Sequence, residues 1–287
     1  MNHIKATRKE NIMEYQGLIA IDLDGTLLQD FNTIADKDRE ALKTARDQGY
    51  LIAISTGRSG YVIKRRLAFW QLEDIVDIVS GSNGAELFDL KVSDQAEILG
   101  GINRAAVEEA LGLVANEDFG FAWYSEHEVH TNPENPHMEA LKEQMGLPIV
   151  LVPKKDLAKA FPEYWTKGVF FLRSKDDQYL QQMIEKDRKE NYRMVLSDEI
   201  ILEMISPDID KGTIIKEICK RKNIAREDSM AIGDMANDKE MLMESGFGVA
   251  MGNAIDELKE VADYVTADVK DNGVAQAVYK FISREKQ

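Results

Sequence analysis

A single cysteine, Cys219, occurs among the 287 residues of the sequence. A lone cysteine cannot form an internal disulfide, and nothing in the sequence indicates an oxidising compartment. Its neighbours Ile214, Ile215 and Ile218 belong to a helical pattern, which favours a small buried apolar side chain over a nucleophile. The sequence therefore excludes a disulfide-stabilised scaffold.

Apolar runs long enough to target or anchor a protein at a membrane are also missing. Residues 1–16 are polar and of mixed charge, without the apolar core of a signal peptide. No later run approaches the length of a membrane span. We therefore expect a cytoplasmic protein that does not bind membranes.

Positive charge is scarce, because 36 basic residues face 51 acidic ones and leave a net charge of −15. Nucleic acids and anionic membranes reward basic patches, so neither is expected as the main partner. A small anionic substrate remains compatible, since one bound cation can dominate the field of a pocket. The length suits two domains of ordinary size or one large domain, and the 44% hydrophobic content is that of a soluble globular protein. The sequence leaves the oligomeric state unknown.

What the sequence does contain is an alternation of apolar runs with helical patterns. Apolar runs at 18–21, 50–54 and 75–79 are typical of strands that are buried on both faces. Helical patterns at 36–46 and 59–71 lie between them, and the first is opened by acidic residues. This alternation predicts an α/β fold with a doubly wound, Rossmann-like parallel sheet.

The middle of the chain differs, because predicted strands at 193–197 and 200–205 are joined by a short connection that implies antiparallel pairing. Helices are also predicted there at 104–116, 136–145, 156–161 and 176–190, and strands at 121–130, 149–152 and 169–173. The α/β pattern then resumes, with helices at 211–223, 237–244, 255–262 and 273–284 and strands at 230–232, 247–250 and 264–266. We therefore predict a discontinuous core of residues 1–86 and 204–287, interrupted by an α+β insert of residues 87–203.

Two aspartates, Asp22 and Asp24, end the first apolar run and precede Gly25. In open α/β sheets, ligands gather at the carboxyl ends of the strands. Residues two apart on a strand share a face, and two buried neighbouring carboxylates are unfavourable unless a cation or hydrogen-bond donors compensate. A plain Asp-Gly turn explains the same residues equally well.

Further polar residues follow other predicted strands or begin helices. Thr56 and Gly57 precede a helix, where a hydroxyl and free N–H groups suit an oxyanion, although a simple helix cap is commoner. Lys211 lies in the first turn of a helix that Asp210 could cap, against the preference of the helix dipole. It indicates either a bound anion or an ordinary solvated lysine.

A second acidic strand end occurs at Asp234, and Asn237 and Asp238 open the next helix. Alone, these residues are typical of a loop and a helix cap. Together with Asp22 and Asp24 they bring three or four carboxylates to one predicted sheet, without matching histidines or thiols. This donor set predicts a hard cation, magnesium rather than zinc.

In order along the chain, these motifs resemble the haloacid dehalogenase-like superfamily, and more narrowly its Cof-type sugar-phosphatase branch. The matching motifs are Asp22-Leu23-Asp24-Gly25-Thr26, Thr56-Gly57-Arg58, Asn83-Gly84-Ala85, Lys211-Gly212, and Gly233-Asp234 with Asn237-Asp238. The resemblance covers the chain from about residue 17. It implies that the insert acts as a cap, a lid over the substrate.

The resemblance also implies a Mg²⁺-dependent phosphatase for small phosphorylated metabolites, sugar phosphates or related compounds. It implies that Asp22 is the nucleophile, which forms an aspartyl phosphate, and that Asp24 transfers protons. Mg²⁺ would be held by Asp22, Asp234 and the backbone carbonyl of Asp24, with Asp238 supporting the metal from behind. The expected phosphate-binding residues are Thr56, Gly57, Lys211 and Asn237.

Two other functions stay open at this stage. A non-catalytic phosphometabolite sensor is disfavoured by the intact pair of Asp22 and Asp24, since a pure binder needs no proton shuttle. A phosphomutase would share the aspartyl-phosphate step. Trp165 and Lys167 of the insert could reach a substrate, but nothing in the sequence requires it, and the substrate itself cannot be read from the sequence.

Overall fold

The computed structural model describes residues 15–30, 32–114, 118–139, 141, 147–172, 191–198 and 201–284. The helix predicted at 176–190 lies outside the described residues, and the helix predicted at 136–145 lies partly outside them. No helix in the described ranges is both long enough and apolar enough to cross a membrane.

The elements are numbered in chain order. The strands are β1 (Gly17–Ile21), β2 (Tyr50–Ser55), β3 (Ile78–Gly81), β4 (Glu86–Asp89), β5 (Glu97–Ile98), β6 (Ile102–Asn103), β7 (Gly120–Tyr124), β8 (Val129–Thr131), β9 (Ile149–Leu151), β10 (Tyr164–Trp165), β11 (Lys167–Phe171), β12 (Arg193–Asp198), β13 (Ile201–Ile205), β14 (Ser229–Gly233), β15 (Phe247–Ala250) and β16 (Tyr264–Val265). The helices are α1 (Asp36–Asp47), α2 (Gly60–Arg66), α3 (Arg104–Leu113), α4 (Leu157–Ala160), α5 (Lys211–Lys222), α6 (Lys239–Glu244), α7 (Asp256–Lys259) and α8 (Gly273–Ile282).

The core is an eight-stranded sheet with the strand order β16-β15-β14-β1-β2-β3-β4-β5. The strands from β16 to β3 are mutually parallel, and β1 lies between β14 and β2. Every residue of β1 and β2 is buried, as expected for apolar strands covered on both faces. These observations confirm the predicted Rossmann-like core.

The insert has its own six-stranded sheet, with the order β12-β13-β11-β7-β8-β9, and its own apolar interior. Neighbours in this sheet are antiparallel except for β8 and β9. The pairing of Arg193 with Ile205 confirms the antiparallel pair predicted at the end of the insert. Val62 of α2 packs in one apolar cluster with Tyr124 and Val169 of the insert, so the two units share an apolar contact.

Both predicted domain boundaries fall within strands. A boundary between residues 86 and 87 falls inside β4, which pairs antiparallel with β3 at the edge of the core sheet. A boundary between residues 203 and 204 falls inside β13, which pairs with β11 and β12 of the insert. A strand belongs to the sheet that its hydrogen bonds join, so we propose that the insert runs from about residue 102 to about residue 205.

The turn before β4 contains the Asn83-Gly84-Ala85 motif. Ser82, Asn83 and Gly84 all have positive φ, and glycine and asparagine adopt this conformation most readily. A Cβ atom on Gly84 would lie 2.6 Å from the carbonyl oxygen of Asp210. The motif therefore builds a tight turn from β3 into β4, packed against the start of α5.

A buried carboxylate joins two helices of the core. Asp38 of α1 is fully buried, and its Oδ1 accepts a hydrogen bond of 2.7 Å from the backbone N–H of Ala275, in the first turn of α8. The first N–H groups of a helix have no partner within the helix, so Asp38 satisfies one of them. Burial raises the pKa of Asp38 to about 6, although the bond from Ala275 acts in the opposite direction.

This pKa predicts how stability depends on pH. Between about pH 4 and pH 6 the folded protein binds a proton at Asp38 that the unfolded chain has lost, so stability falls as pH rises through this window and stays lower above it. We expect the free energy of unfolding of Asp38→Asn, relative to the unsubstituted protein, to rise by up to about 3 kcal/mol between pH 4 and pH 7.

Denaturant titrations at several pH values measure this difference. Asp36→Asn is the matched control, because Asp36 is an exposed carboxylate on the same helix and pairs with Arg39 at the surface. Parallel curves for Asp38→Asn and the unsubstituted protein would show that Asp38 is not the group responsible.

Candidate active site

The candidate site begins where two neighbouring parallel strands end. Ile21 of β1 is in register with Ile232 of β14, and the N–H of Asp22 donates to the carbonyl of Ile232 at 2.9 Å. The chain leaves β14 at Asp234. Because parallel strands point their carboxyl ends to one edge of the sheet, this register brings Asp22 and Asp234 together.

Asp22, Asp234 and Asp238 form what we call the three-aspartate cluster. One carboxylate oxygen from each lies within 4.8 Å of the others, and all three residues are buried. Gly25 permits this approach, because a Cβ atom there would lie 2.4 Å from Oδ2 of Asp234. The hydroxyl of Thr26 donates to Oδ1 of Asp234 at 2.8 Å and orients that carboxylate.

Lys211 supplies the positive charge of the cluster. Its Nζ donates to Oδ1 of Asp22 at 2.5 Å and to Oδ1 of Asp238 at 2.6 Å, and the side chain is only 1% exposed. Asp210 caps α5, since its Oδ1 accepts from the N–H of Thr213 at 2.7 Å. Lys211 therefore lies in the first turn of α5, where its two carboxylate partners explain a cation at the unfavourable end of the helix dipole.

Asp238 is the most fully bonded member of the cluster. Its Oδ2 accepts from the backbone N–H groups of Asp234 and Met235, each at 3.0 Å, while its Oδ1 faces Lys211. Within the described residues, the side-chain hydrogen bonds of Asp22 and Asp234 use Oδ1 alone. Asp22 and Asp234 therefore have an oxygen to offer a ligand.

The electrostatics of the cluster favour a bound cation. Burial raises the pKa of Asp22 well above its usual value, and the negative charge of the nearby Asp238 adds a smaller increase. Burial also raises the pKa of Asp234 to about 6. Burial disfavours the ammonium of Lys211, yet Asp22 and Asp238 raise its pKa above the usual range. Three carboxylates against one ammonium leave an excess of negative charge, and an all-oxygen donor set suits a hard divalent ion.

The side chain of Asp24 lies outside the three-aspartate cluster. Both of its oxygens accept hydrogen bonds from Arg58, one of them from Nε at 2.8 Å, and its side chain is 45% exposed. The structure thus pairs Asp24 with Arg58 and not with the groups of the three-aspartate cluster. β1 ends at Ile21, before both aspartates, so strand alternation does not place Asp22 and Asp24 on one face.

Thr56 and Gly57 follow β2, the strand next to β1, so they reach the same edge of the sheet as Asp22. Thr56 is buried, and its Oγ1 accepts from the N–H of Arg58 at 3.1 Å. Because that oxygen accepts, the hydroxyl proton of Thr56 is free to point elsewhere. A Cβ atom on Gly57 would lie 3.3 Å from Oδ1 of Asn83, so the glycine allows this turn to pack closely.

Asn237 meets a group that the sequence did not single out as a site residue. Its Nδ2 donates to Oδ1 of Asn83 at 3.1 Å, and Nδ2 of Asn83 donates to Oε2 of Glu203 at 3.1 Å. Oε1 of Glu203 lies 2.5 Å from Nζ of Lys167, which also donates to the carbonyl of Gly57 at 2.7 Å. The insert therefore touches the core beside two of the predicted phosphate-binding residues.

Sequence reasoning left out several residues that the structure places here. Thr26, Arg58 and Asn83 stand inside the quoted motifs, so their position beside Asp22, Asp24 and Gly57 was a usable signal. The sequence predicts only that Lys167 could reach a substrate, and it gives no functional signal for Glu203, which lies in an apolar strand pattern. The pairing of β13 with β11 places Glu203 near Lys167, and the hydrogen bond from Asn83 joins Glu203 to the core.

Comparison with known proteins finds a matching family model and similar phosphatases. The family model described as haloacid dehalogenase-like hydrolase matches residues 19–278. The 5-amino-6-(5-phospho-D-ribitylamino)uracil phosphatase YcsE of Bacillus subtilis is 29% identical over 267 residues, which cover 92% of this chain and 95% of that protein.

Two solved structures show the same fold. A haloacid dehalogenase-like hydrolase from Bacteroides thetaiotaomicron has a TM-score of 0.80 at 24% identity, with 93% of this chain and 99% of that chain covered. The HAD subclass IIB sugar phosphatase BT4131 has a TM-score of 0.77 at 24% identity, with 92% of this chain and 98% of that chain covered.

The three-aspartate cluster predicts that a divalent cation, supplied as Mg²⁺, stabilises the folded protein. We expect saturating Mg²⁺ to stabilise the folded protein, by about 2.7 kcal/mol at a concentration one hundred times the Kd. Asp234→Asn should lose most of this stabilisation, because it removes a carboxylate charge while keeping a similar shape.

Thermal unfolding with and without Mg²⁺ provides the measurement, with Ca²⁺ as a second oxygen-seeking ion. Asp74→Asn is the control, since Asp74 is an exposed carboxylate away from these contacts. An equal Mg²⁺ response in Asp234→Asn and Asp74→Asn would place the ion outside the three-aspartate cluster.

Proposed function

Because the chain belongs to the haloacid dehalogenase-like hydrolase family, and to its Cof-type branch, we propose that it is a Mg²⁺-dependent phosphatase. Its substrates are proposed to be small phosphorylated metabolites, sugar phosphates or related compounds. The observation that carries this proposal is the meeting of Asp22, Asp234, Asp238 and Lys211 at one edge of the core sheet. A nucleophile, a cation site and a phosphate-binding cation are thereby available within one small volume.

Asp22 is the proposed nucleophile. Its carboxylate attacks the phosphorus atom of the ester, the bond from phosphorus to the ester oxygen breaks, and an aspartyl phosphate and an alcohol result. Lys211 holds one oxygen of Asp22 in place, so the other oxygen is presented in a defined direction. Water then attacks the aspartyl phosphate and releases inorganic phosphate.

Asp24 is the proposed proton donor and acceptor. It protonates the departing alkoxide and later removes a proton from the attacking water, a role that needs a carboxyl group distinct from the nucleophile. Arg58 binds both oxygens of Asp24 in this structure, so Asp24 must give up at least one of these contacts to transfer a proton. Its partial exposure fits a group that meets both leaving group and water.

Mg²⁺ would be held by Asp22, Asp234 and the backbone carbonyl of Asp24, with Asp238 supporting it from behind. When bound, it would offset the negative charge of the transferring phosphoryl group and of the carboxylate that approaches it. The bonding of Asp238 fits its supporting role, since Lys211 and two backbone N–H groups already use its oxygens.

The remaining phosphoryl oxygens would be bound by Thr56, Gly57, Lys211 and Asn237. The ammonium of Lys211 has three N–H bonds and uses two of them for Asp22 and Asp238, which leaves one for a phosphoryl oxygen. The hydroxyl of Thr56 accepts from Arg58 and so can donate its own proton. These donors carry out electrostatic stabilisation of the transferring group.

The proposed substrate class is supported by the relatives. The Bacillus subtilis relative is named for a phosphate ester of a ribityl group, and a protein of the same fold is named a sugar phosphatase. Both names describe a phosphate on a sugar-like alcohol. The insert would close over the site, exclude bulk water and select the alcohol.

The first test of the proposal is the nucleophile. Asp22→Asn should lower Mg²⁺-dependent hydrolysis of p-nitrophenyl phosphate by at least about 10⁴-fold, because an amide cannot form the aspartyl phosphate. Turnover is followed by release of p-nitrophenolate, and circular dichroism checks that the variant is folded. Asp74→Asn serves as the control, and Mg²⁺-dependent turnover that survives in Asp22→Asn would refute the nucleophile.

The second test separates the two steps assigned to Asp24. p-Nitrophenolate leaves readily without a proton, whereas a sugar alkoxide does not. Asp24→Asn should therefore slow release of the alcohol from a sugar phosphate by about 10²- to 10⁴-fold, with a smaller effect on the first step with p-nitrophenyl phosphate.

Rapid-quench kinetics with labelled phosphate measures the first step directly. Since Asp24 also activates water, Asp24→Asn should accumulate labelled aspartyl phosphate from p-nitrophenyl phosphate. If Asp24→Asn lowered the rate equally with both substrates and no labelled protein accumulated, the assignment of Asp24 to proton transfer would be wrong. Adding a free sugar as acceptor distinguishes hydrolysis from the phosphomutase alternative.

A further inference from the structure

A buried ion pair lies where the insert meets the core. The side chains of Lys167 on β11 and Glu203 on β13 are 5% and 10% exposed, and Nζ lies 2.5 Å from Oε1. Removing two charges from water is unfavourable unless further hydrogen bonds satisfy them. The groups that supply those hydrogen bonds therefore indicate what the pair does.

The further hydrogen bonds of both charged groups are made with the core. Nζ of Lys167 donates to the carbonyl oxygen of Gly57 at 2.7 Å. Oε2 of Glu203 accepts from Nδ2 of Asn83 at 3.1 Å. One ion pair of the insert thus contacts two separate turns of the core, each next to a residue proposed to bind phosphate.

Lys167 acts on the peptide group between Gly57 and Arg58. Its ammonium holds the carbonyl oxygen of that peptide, while the N–H of the same peptide donates to Oγ1 of Thr56 at 3.1 Å. The peptide plane is held from both sides. As a result Oγ1 of Thr56 remains an acceptor towards the backbone, and its proton stays available for a phosphoryl oxygen.

Glu203 acts on two amide side chains in series. An ionised carboxylate only accepts hydrogen bonds, so Asn83 must turn its Nδ2 towards Glu203 and its Oδ1 away from it. Oδ1 of Asn83 in turn accepts from Nδ2 of Asn237 at 3.1 Å. The negative charge of Glu203 thereby decides which end of the Asn237 amide faces Asn83.

We propose that Lys167 and Glu203 are positioning residues of the reaction. Their ion pair orients the Gly57 peptide and the amide of Asn237, so the phosphate-binding groups are complete only while the insert sits on the core. The kinetic part of this inference rests on the proposed phosphatase function. The orientation of the two core turns by the ion pair does not.

The first variant is Glu203→Gln, which keeps the shape of the side chain but can present either an oxygen or an amide group to Asn83. We expect kcat/KM to fall by about 10²-fold, the scale of a displaced binding group, and inhibition by inorganic phosphate to weaken by a similar factor. Lys167→Met should produce the same two losses, and Lys167→Arg, which keeps the charge, should recover part of them.

Lys222→Met is the matched control, because Lys222 forms a partly buried ion pair with Asp89 inside the core, away from the site. It should lower thermal stability while leaving KM and the inhibition constant for phosphate unchanged. A merely structural role of Lys167 and Glu203 would have the same signature. Such a result for Glu203→Gln and Lys167→Met would overturn the proposal.

Amide hydrogen exchange provides a readout without turnover. The N–H of Arg58 and that of Asn83, which donates to the carbonyl of Thr56 at 3.0 Å, should exchange faster in Lys167→Met than in Lys222→Met. Faster exchange in a protein that hydrolyses no phosphate ester would uphold the orientation and refute the phosphatase. Unchanged exchange together with unchanged kinetics would refute the orientation and leave the phosphatase standing.

Discussion

One buried ammonium between two carboxylates holds the candidate site together. Lys211 contacts Asp22 and Asp238, which come from different strand ends of the core sheet. Charges removed from water in this way are stable only when each has its partner, so α5, β1 and the turn after β14 are tied to one another. The same contacts leave one carboxylate, Asp234, without an ammonium partner among the described residues, which is why the cluster favours a divalent cation.

Close approach of backbone to carboxylate makes this arrangement possible. A side chain at Gly25 would collide with Asp234, and a Cβ atom at Gly233 would lie 2.4 Å from the Cβ atom of Asp238. Gly25 follows β1 and Gly233 ends β14, both buried strands. The sheet therefore positions the acidic groups, and the glycines allow them to approach one another. The site is thus a property of the strand ends, and the helices contribute mainly through Lys211 at the start of α5.

The insert makes polar contacts with the core beside this site. Its ion pair reaches the core through hydrogen bonds to Gly57 and Asn83, beside the apolar contact of Val62 with the sheet of the insert. The apolar contact has no direction, whereas the hydrogen bonds have donors and acceptors that must match. The hydrogen bonds of the ion pair are therefore suited to set the orientation of groups in the core. The apolar contact is suited to hold the two units together.

Local patterns in the sequence determined the alternating core and the antiparallel end of the insert, because buried strands and helices have recognisable apolar patterns. They also determined the motifs that hold Asp22, Lys211 and Asp234, because polar residues that directly follow an apolar run or begin a helix stand out. Tertiary structure alone decided that β4 belongs to the core sheet, that Asp24 pairs with Arg58, and that Glu203 reaches Asn83, 120 positions away in the chain. The physical reason is that strand pairing and ion pairing join distant segments, and no local spacing of residues records which partner each group will meet.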